Sequence, residues 1–317
     1  MAAKPAIYVD GQHGTTGLQI LDLLAQRDEF ELISIAESDR RSLEHRRRAL
    51  NGADVVILCL PDDASREAVS LIENPKVRVI DASTAYRTAP DWVYGFAELT
   101  DGQRARIAEA QRVSNPGCYA TGAIALLRPL VQRGVVQPDQ AMHIVGVSGY
   151  TGGGKALIQI HEGEDPEPFA LYGTKLAHKH VPEIQMHAQL RRRPIFVPSE
   201  GHFPTGMLVI VTLAREALND DAAAVHGALA EHYRDAAFVS VVPADSREQL
   251  LRGDFIRADT LSGTNQLELM SFASPSGDEI LLVARLDNLG KGASGAAVQN
   301  LNLMLGLDER TGLAGAR

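Results

Sequence analysis

From Ala6 onward the chain alternates short apolar runs with amphipathic stretches. "AIYVD" (6–10) is followed by a helical pattern beginning near Thr15 or Thr16, then "ELISIA" (31–36), a second helix over about 42–52 and "DVVILCL" (54–60). Runs this continuous and β-branched suit strands buried on both faces of a parallel sheet. "SREAVSLIE" (65–73) predicts a third helix and "VRVIDAS" (77–83) another strand. Strand and helix alternating at this spacing predict an α/β fold with a doubly wound parallel sheet. Cys59 falls inside the third strand, where a small core residue is the plain reading.

Beyond the helical pattern that follows Cys118 the order changes. "MHIVGVSG" (142–149), "PIFVPS" (194–199), "MLVIVTLA" (207–214), "AFVSVVP" (237–243), "QLELMSFA" (266–273) and "EILLVARLDN" (279–288) are strand-like, with one main helix near 220–235. Many strands with few helices predict an α+β domain with an antiparallel or mixed sheet. The last helix, "SGAAVQNLNLMLG" (294–306), has no later strand to join and is expected to pack back on the first domain. The expected boundaries are 1–117 with 293–317 for a dinucleotide-binding domain, and 118–292 for a catalytic and subunit-contact domain.

Composition narrows the class. The 317 residues are 45% hydrophobic and 22% charged, as in an ordinary globular protein of two domains. A formal net charge of −9 argues against nucleic acid as a partner. Two cysteines, Cys59 and Cys118, are too few for a disulfide framework and suit a reducing compartment. The N-terminus enters a strand pattern without the layout of a signal peptide, and no apolar run approaches the roughly 20 residues that span a bilayer. A cytoplasmic protein, with no membrane contact, is the expectation.

The turn after the first strand, "VDGQHGTTGLQI", places glycines at 11, 14 and 17. A dinucleotide needs a tight turn, bare backbone beside the pyrophosphate, and helix N–H groups aimed at it. Gly11 and Gly14 would give the turn and the close approach, Thr15 and Thr16 open the helix, and Gly17 would let helix and strand touch. At the end of the second strand, "IAESDRRS" mixes signals: Glu37 and Asp39 favour a ribose hydroxyl and NAD, whereas Ser38, Arg40 and Arg41 favour a 2′-phosphate. NADP, used as NADPH, is the expectation.

In "VSNPGCYATG" (113–122) a thiol opens a helix. The positive end of the helix dipole favours a thiolate there. Asn115 and the turn amides are candidates to hold a developing oxyanion. "AHKHVPEI" (177–184) supplies proton carriers: in an extended segment His178 and His180 share a side. A zinc pair is the rival reading, but no cysteine or carboxylate pair at ligand spacing completes it, and no metal is expected. "DASTAYR" (81–87) ends a strand where α/β sheets bind ligands, so Ser83 and Arg87 are anion-binding candidates. "SGYTGGGK" (148–155) looks like a phosphate loop, yet Ala156 follows Lys155 where a triphosphate loop has Ser or Thr. An active-site loop is the reading for it.

Together "GQHGTTGLQ", "DASTAYR", "SNPGCYATG", "SGYTGGGK", "HKHVPE" and "DNLGKGASGAAVQNLNLM" resemble the N-acetyl-γ-glutamyl-phosphate reductases of the semialdehyde dehydrogenase superfamily, in their compact type. The resemblance implies a Rossmann domain, an NADPH-dependent enzyme of arginine biosynthesis, and reduction of an acyl phosphate to an aldehyde through a cysteine thioester. It implies Cys118 as nucleophile, and His180 or His178 as acid/base with a slight preference for His180. It further implies Arg87 at the substrate and Asn288 and Lys291 near the cofactor, and it maps Glu183 into the histidine block; Ser83, Asn115, Glu183 and Lys155 complete the substrate-side candidates. A homo-oligomer, dimer or tetramer, is expected from the β-rich second domain. His202, in "PSEGHFPTGM", departs from the family pattern and is reminiscent of the late catalytic histidine of the semialdehyde dehydrogenases. The competing readings are a reductase of another acyl phosphate such as aspartyl phosphate, a non-catalytic NADP sensor, and a thiol hydrolase or acyltransferase.

Overall fold

The computed structural model describes residues 4–36, 38–39 and 42–316. Its contacts divide the chain into two compact units. The first comprises Met1–Ala97, Gly102–Pro116 and Ala293–Leu313, and the second Glu98–Asp101, Gly117–Gly292 and Ala314–Arg317.

In the first unit the strands are β1 (Ala6–Asp10), β2 (Glu31–Ile33), β3 (Val55–Leu58), β4 (Arg78–Asp81), β5 (Val93–Tyr94) and β6 (Arg112–Ser114). They form one sheet in the order β2-β1-β3-β4-β6-β5, with every pair parallel. The helices are α1 (Thr15–Leu24), α2 (Leu43–Gly52), α3 (Asp62–Ser70), α4 (Gln103–Glu109) and α9 (Gly295–Met304). Two apolar clusters separate along alternate strand positions, as the period of two requires. Ile7, Val9, Val55 and Ile57 pack with Ile20, Leu24, Val298 and Leu301, while Tyr8, Val56 and Leu58 pack with Leu50 and Ala68. The last helix therefore completes one layer of the first unit's core.

The second unit holds β7 (His143–Gly149), β8 (Phe169–Leu171), β9 (Ile195–Gly201), β10 (Met207–Ala214), β11 (Val239–Val241), β12 (Leu267–Ala273) and β13 (Glu279–Leu286). Their order is β11-β12-β13-β10-β7-β9-β8, a mixed sheet in which β7–β9 and β11–β12 are parallel and the other pairs antiparallel. Its helices are α5 (Cys118–Gln132), α6 (Gly154–His161), α7 (Val181–His187) and α8 (Ala222–His232). α5 lies on β10 so closely that a Cβ at Gly122 would stand 2.7 Å from Val209. Pro129 inside α5 has no N–H for the Ala125 carbonyl, and the buried Tyr233 hydroxyl donates to that oxygen instead, at 2.9 Å.

Several expected bounds shift. β3 ends at Leu58, so Cys59 stands just past the strand rather than within it; its N–H donates to Asp10 O at 2.8 Å. α3 begins at Asp62, with both aspartates in its first turn favourable to the helix dipole. Among the described residues no helix is long and apolar enough to cross a membrane.

Candidate active site

In the first unit the β1–α1 turn is built by glycine. Gly11 has φ +85°, and a Cβ there would collide with the Cys59 carbonyl; a Cβ at Gly17 would collide with Gly11 O. Gly14 donates to Gly11 O at 3.0 Å and caps α1 in an extended conformation without any side chain. The N–H groups of Thr15, Thr16 and Gly17 therefore have no acceptor within the helix. Gly14 itself faces nothing closer than 3.4 Å to a built Cβ. Bare backbone, three orphan donors and the helix dipole fit a pyrophosphate. Beside the turn, buried Asp10 pairs with Arg46 of α2 at 2.9 Å, an anchor that the sequence pattern does not reveal. Of the residues expected at the 2′-phosphate, Ser38 is exposed, and Arg40 and Arg41 lie outside the described residues.

The polar residues at the ends of β4 and β6 are committed to one another. Asp81, fully buried, accepts from Ser65 and, at 2.6 Å, from Ser83 Oγ; burial raises its pKa. Ser83 Oγ thus donates to Asp81 and accepts from the Ala85 N–H at 3.1 Å. Arg87, 8% exposed, donates to Asn115 O at 2.9 Å and Ala82 O at 3.0 Å. Asn115 donates through Nδ2 to Ala293 O at 2.9 Å and accepts from Asn300 Nδ2 at 3.1 Å. Its side chain ties β6 to the start of α9.

In the second unit Cys118 is the first residue of α5, half-buried, behind the extended cap Gly117. The Gly117 N–H donates to Glu183 Oε1 at 2.8 Å, with Glu183 1% exposed in the first turn of α7. Glu183, expected at the substrate, holds the turn that presents the thiol. His178 and His180 do come together, but not on an extended segment: they form a turn, with His180 helical at φ −81° as the cap of α7. His178 Nδ1 accepts the His180 N–H at 3.1 Å, and the two rings meet edge-on at 4.7 Å. Tyr119, next to the thiol in sequence, lies 6.0 Å from each histidine ring. Its hydroxyl donates to Ser199 O at 2.9 Å and accepts from Tyr172 at 3.4 Å. Burial pushes the Tyr172 phenol up to about 12, with the nearby Cys118 charge adding to the rise. These two tyrosines are part of the site that sequence reasoning missed. The only signal was the position of Tyr119 beside Cys118.

The remaining candidates divide. Lys155 is exposed in the first turn of α6. Asn288 is buried and used twice: it accepts from Gly206 N–H at 2.8 Å and donates to Thr151 Oγ1 at 3.0 Å. Lys291, 1% exposed, donates to both oxygens of Glu98 at 2.9 and 2.8 Å. Both polar ends are engaged by protein groups of the second unit. Their loop partners lie too far along the chain to be read from a motif. His202 is exposed, 3.2 Å from His161 through their Nδ1 atoms and stacked in line with Tyr150. Among the described residues no group of three or more His, Cys, Asp or Glu is placed to hold a metal ion.

Comparison with known proteins covers both units. Residues 6–110 match the family described as "Semialdehyde dehydrogenase, NAD binding domain", and residues 118–288 match "Semialdehyde dehydrogenase, dimerisation domain". Over 311 residues, 96% of this chain and 99% of the relative, the sequence is 55% identical to a Brucella suis protein named N-acetyl-gamma-glutamyl-phosphate reductase. The chain belongs to the N-acetyl-gamma-glutamyl-phosphate reductase family. A reductase of that name from Brucella ovis is 54% identical over the same share of each chain. Among solved structures, aspartate semialdehyde dehydrogenase from Francisella tularensis matches with a TM-score of 0.71 at 11% identity, covering 95% of this chain and 99% of that one. Aspartate semialdehyde dehydrogenase II from Vibrio cholerae, complexed with ASA, matches with a TM-score of 0.70 at 14% identity, covering 96% and 99%. At those identities the likeness is one of fold. Membership of the reductase family favours an oxidoreductase using a nicotinamide cofactor over a sensor, a hydrolase or an aspartyl-phosphate enzyme.

Proposed function

We propose that this protein reduces N-acetyl-L-glutamyl 5-phosphate to N-acetyl-L-glutamate 5-semialdehyde and phosphate, with NADPH, in arginine biosynthesis. The observation that carries the reading is a half-buried thiol at the first position of α5, in a chain 55% identical to a named reductase. Cys118 Sγ, as thiolate, attacks the acyl carbon; the C–O bond to phosphate breaks and phosphate leaves with its electron pair. A thioester remains on Cys118, which divides one difficult step into two. The first-turn amides of α5 face the oxygen on which negative charge develops.

When bound, the nicotinamide supplies the hydride that reduces the thioester carbon. We assign the proton transfers to His180. It protonates the oxygen of the resulting thiohemiacetal and takes that proton back as the C–S bond breaks, leaving aldehyde and thiolate. His178 is held through Nδ1 by the turn amide and buttresses His180 edge-on, a positioning part. Arg87 and Lys155 remain the candidates for the substrate's anionic groups. The β1–α1 turn would hold the pyrophosphate, and Ser38, Arg40 and Arg41 the 2′-phosphate. We read residues 1–117 with 293–317 as the cofactor domain and 118–292 as the catalytic domain. The family description of the latter as a dimerisation domain supports a homo-oligomer. Two thiols and no disulfide suit the cytoplasm.

The test follows NADPH oxidation with N-acetyl-glutamyl phosphate and, in parallel, aspartyl phosphate. Turnover with the first and not the second is expected. The reverse outcome overturns the assignment. Replacing NADPH with NADH, in the parent and in Arg40→Ala/Arg41→Ala, tests the 2′-phosphate pocket. The parent should prefer NADPH, and the double variant should lose that preference.

A further inference from the structure

The loop behind the thiol is anchored from several directions. Buried Asp287 accepts from Gly263 N–H at 2.6 Å through one oxygen and from Leu289 N–H at 2.8 Å through the other. Gly290 approaches Thr264 O so closely that no Cβ fits. Lys291 ends between both oxygens of Glu98, with its ammonium 5.6 Å from the centre of the Phe238 ring. The Glu98 carbonyl is fixed in turn by His232 Nε2 at 3.0 Å. Gly292, whose N–H donates to Asp287 O at 2.9 Å, turns its bare Cα to the nucleophile. A Cβ there would stand 2.9 Å from Cys118 Cβ and 3.4 Å from Cys118 Cα. These residues lie in or beside a π-helical turn, Gly290–Ser294, a form kept mostly at functional sites.

We propose that Gly292 is the wall that fixes the direction of the Cys118 side chain, and that Lys291 and Glu98 are the positioning pair that seats it. The inference rests on the reading of Cys118 as the nucleophile. A buried ion pair contributes little net stability, because desolvation offsets the attraction, but removing one partner is disruptive. Such a pair is suited to holding one geometry. Lys291 and Glu98 are buried against one another, and they act through the backbone between Lys291 and Gly292.

Gly292→Ala probes the wall without left-handed backbone strain; its Cβ would also stand 3.0 Å from Asp287 O, a contact that is the same with or without the Cys118 side chain. The expected result is a kcat lower by about tenfold, with NADPH Kd and substrate KM within about twofold. The rate of Cys118 alkylation by iodoacetamide should fall as well, a readout independent of turnover. Melting gives a second, catalysis-free measurement. Gly292→Ala should lower Tm in the parent and much less in Cys118→Gly, where the opposing Cβ is gone. Lys291→Met combined with Glu98→Leu, which removes the whole pair, should lower kcat and alkylation rate while leaving NADPH Kd unchanged. Equal Tm losses in the two backgrounds overturn the contact. A rise of about tenfold in NADPH Kd for the Lys291 variant, with alkylation unchanged, makes Lys291 a cofactor ligand and overturns the pair. Turnover retained by Cys118→Ser overturns the nucleophile reading instead, while the melting comparison still reports on the wall.

Discussion

Two turns of this chain use the same device for different ends. Gly14 and Gly117 each cap a helix in nearly the same extended conformation, at φ −76°, ψ 161° and φ −77°, ψ 148°, and neither helix start receives a side-chain cap. At the β1–α1 turn the next residues are Thr15, Thr16 and a third glycine, so the orphan amides face outward for an anion to bind. At the start of α5 the next residue is a thiol, and Glu183 already occupies the Gly117 amide. On the proposed reading, the positive end of a helix attracts a ligand's charge in the first case and favours a thiolate on the protein's own sulfur in the second. Binding and chemistry are separated by the residue after the capping glycine and by whether a neighbour takes the glycine N–H.

The comparison is open to attack in order of expected effect. Cys118→Ser should lower kcat by roughly a thousandfold or more while NADPH still binds, as titrated by fluorescence. Retained turnover would remove the chemical half of the contrast. Gly17→Ala drives a methyl group into Gly11 O and Gln12 Cα, so NADPH affinity should drop at least about tenfold. The alkylation rate of Cys118 should not change in that variant. Glu183→Gln exchanges a charged acceptor for a neutral one at the Gly117 N–H, and a loss of about 1 kcal/mol in denaturant unfolding is expected, with slower alkylation. The smallest effect belongs to Cys59. Burial, with the Asp81 and Asp10 charges adding, pushes its thiol up to about 12 from an ordinary value of 9.0. Above the ordinary value the unfolded chain loses this proton and the folded one keeps it. Stability therefore falls from about pH 9 to about pH 12. Cys59→Ala should flatten part of that alkaline loss in pH-dependent melting, and mass spectrometry of the parent at neutral pH should show one alkylated cysteine, Cys118.

The α/β class was legible because a parallel strand buried on both faces must be nearly all apolar, and "DVVILCL" is, while "VRVIDAS" keeps Val79 and Ile80 as an apolar centre. β7 and β9 to β13 of the second sheet were legible as runs of apolar and β-branched residues. The two-residue β5 and the exposed β8 carry too little pattern to be read. The glycine turn and the position of Cys118 were legible because both depend on local chain geometry. Ser83, Asn115, Asn288 and Lys291 were recognisable as residues with a purpose, but not for which purpose. Apart from Asp81, two residues before Ser83, their partners lie in distant segments, Glu98 being 193 residues from Lys291, and only folding brings them together. The His178–His180 turn was misjudged as extended because the next helix starts at Val181, with a proline in its first turn.

One layer of the first unit's core contains Ala297, Val298, Leu301 and Met304, all from α9. A ribosome finishes most of the second unit before those residues leave the exit tunnel, so the nascent β1–β6 sheet waits with one apolar face only partly covered, by α1 and α4. The nucleotide-binding turn thus acquires its full support last, although it is among the first segments made. A chain truncated before α9 would keep every glycine of that turn and still lack the layer that stiffens it.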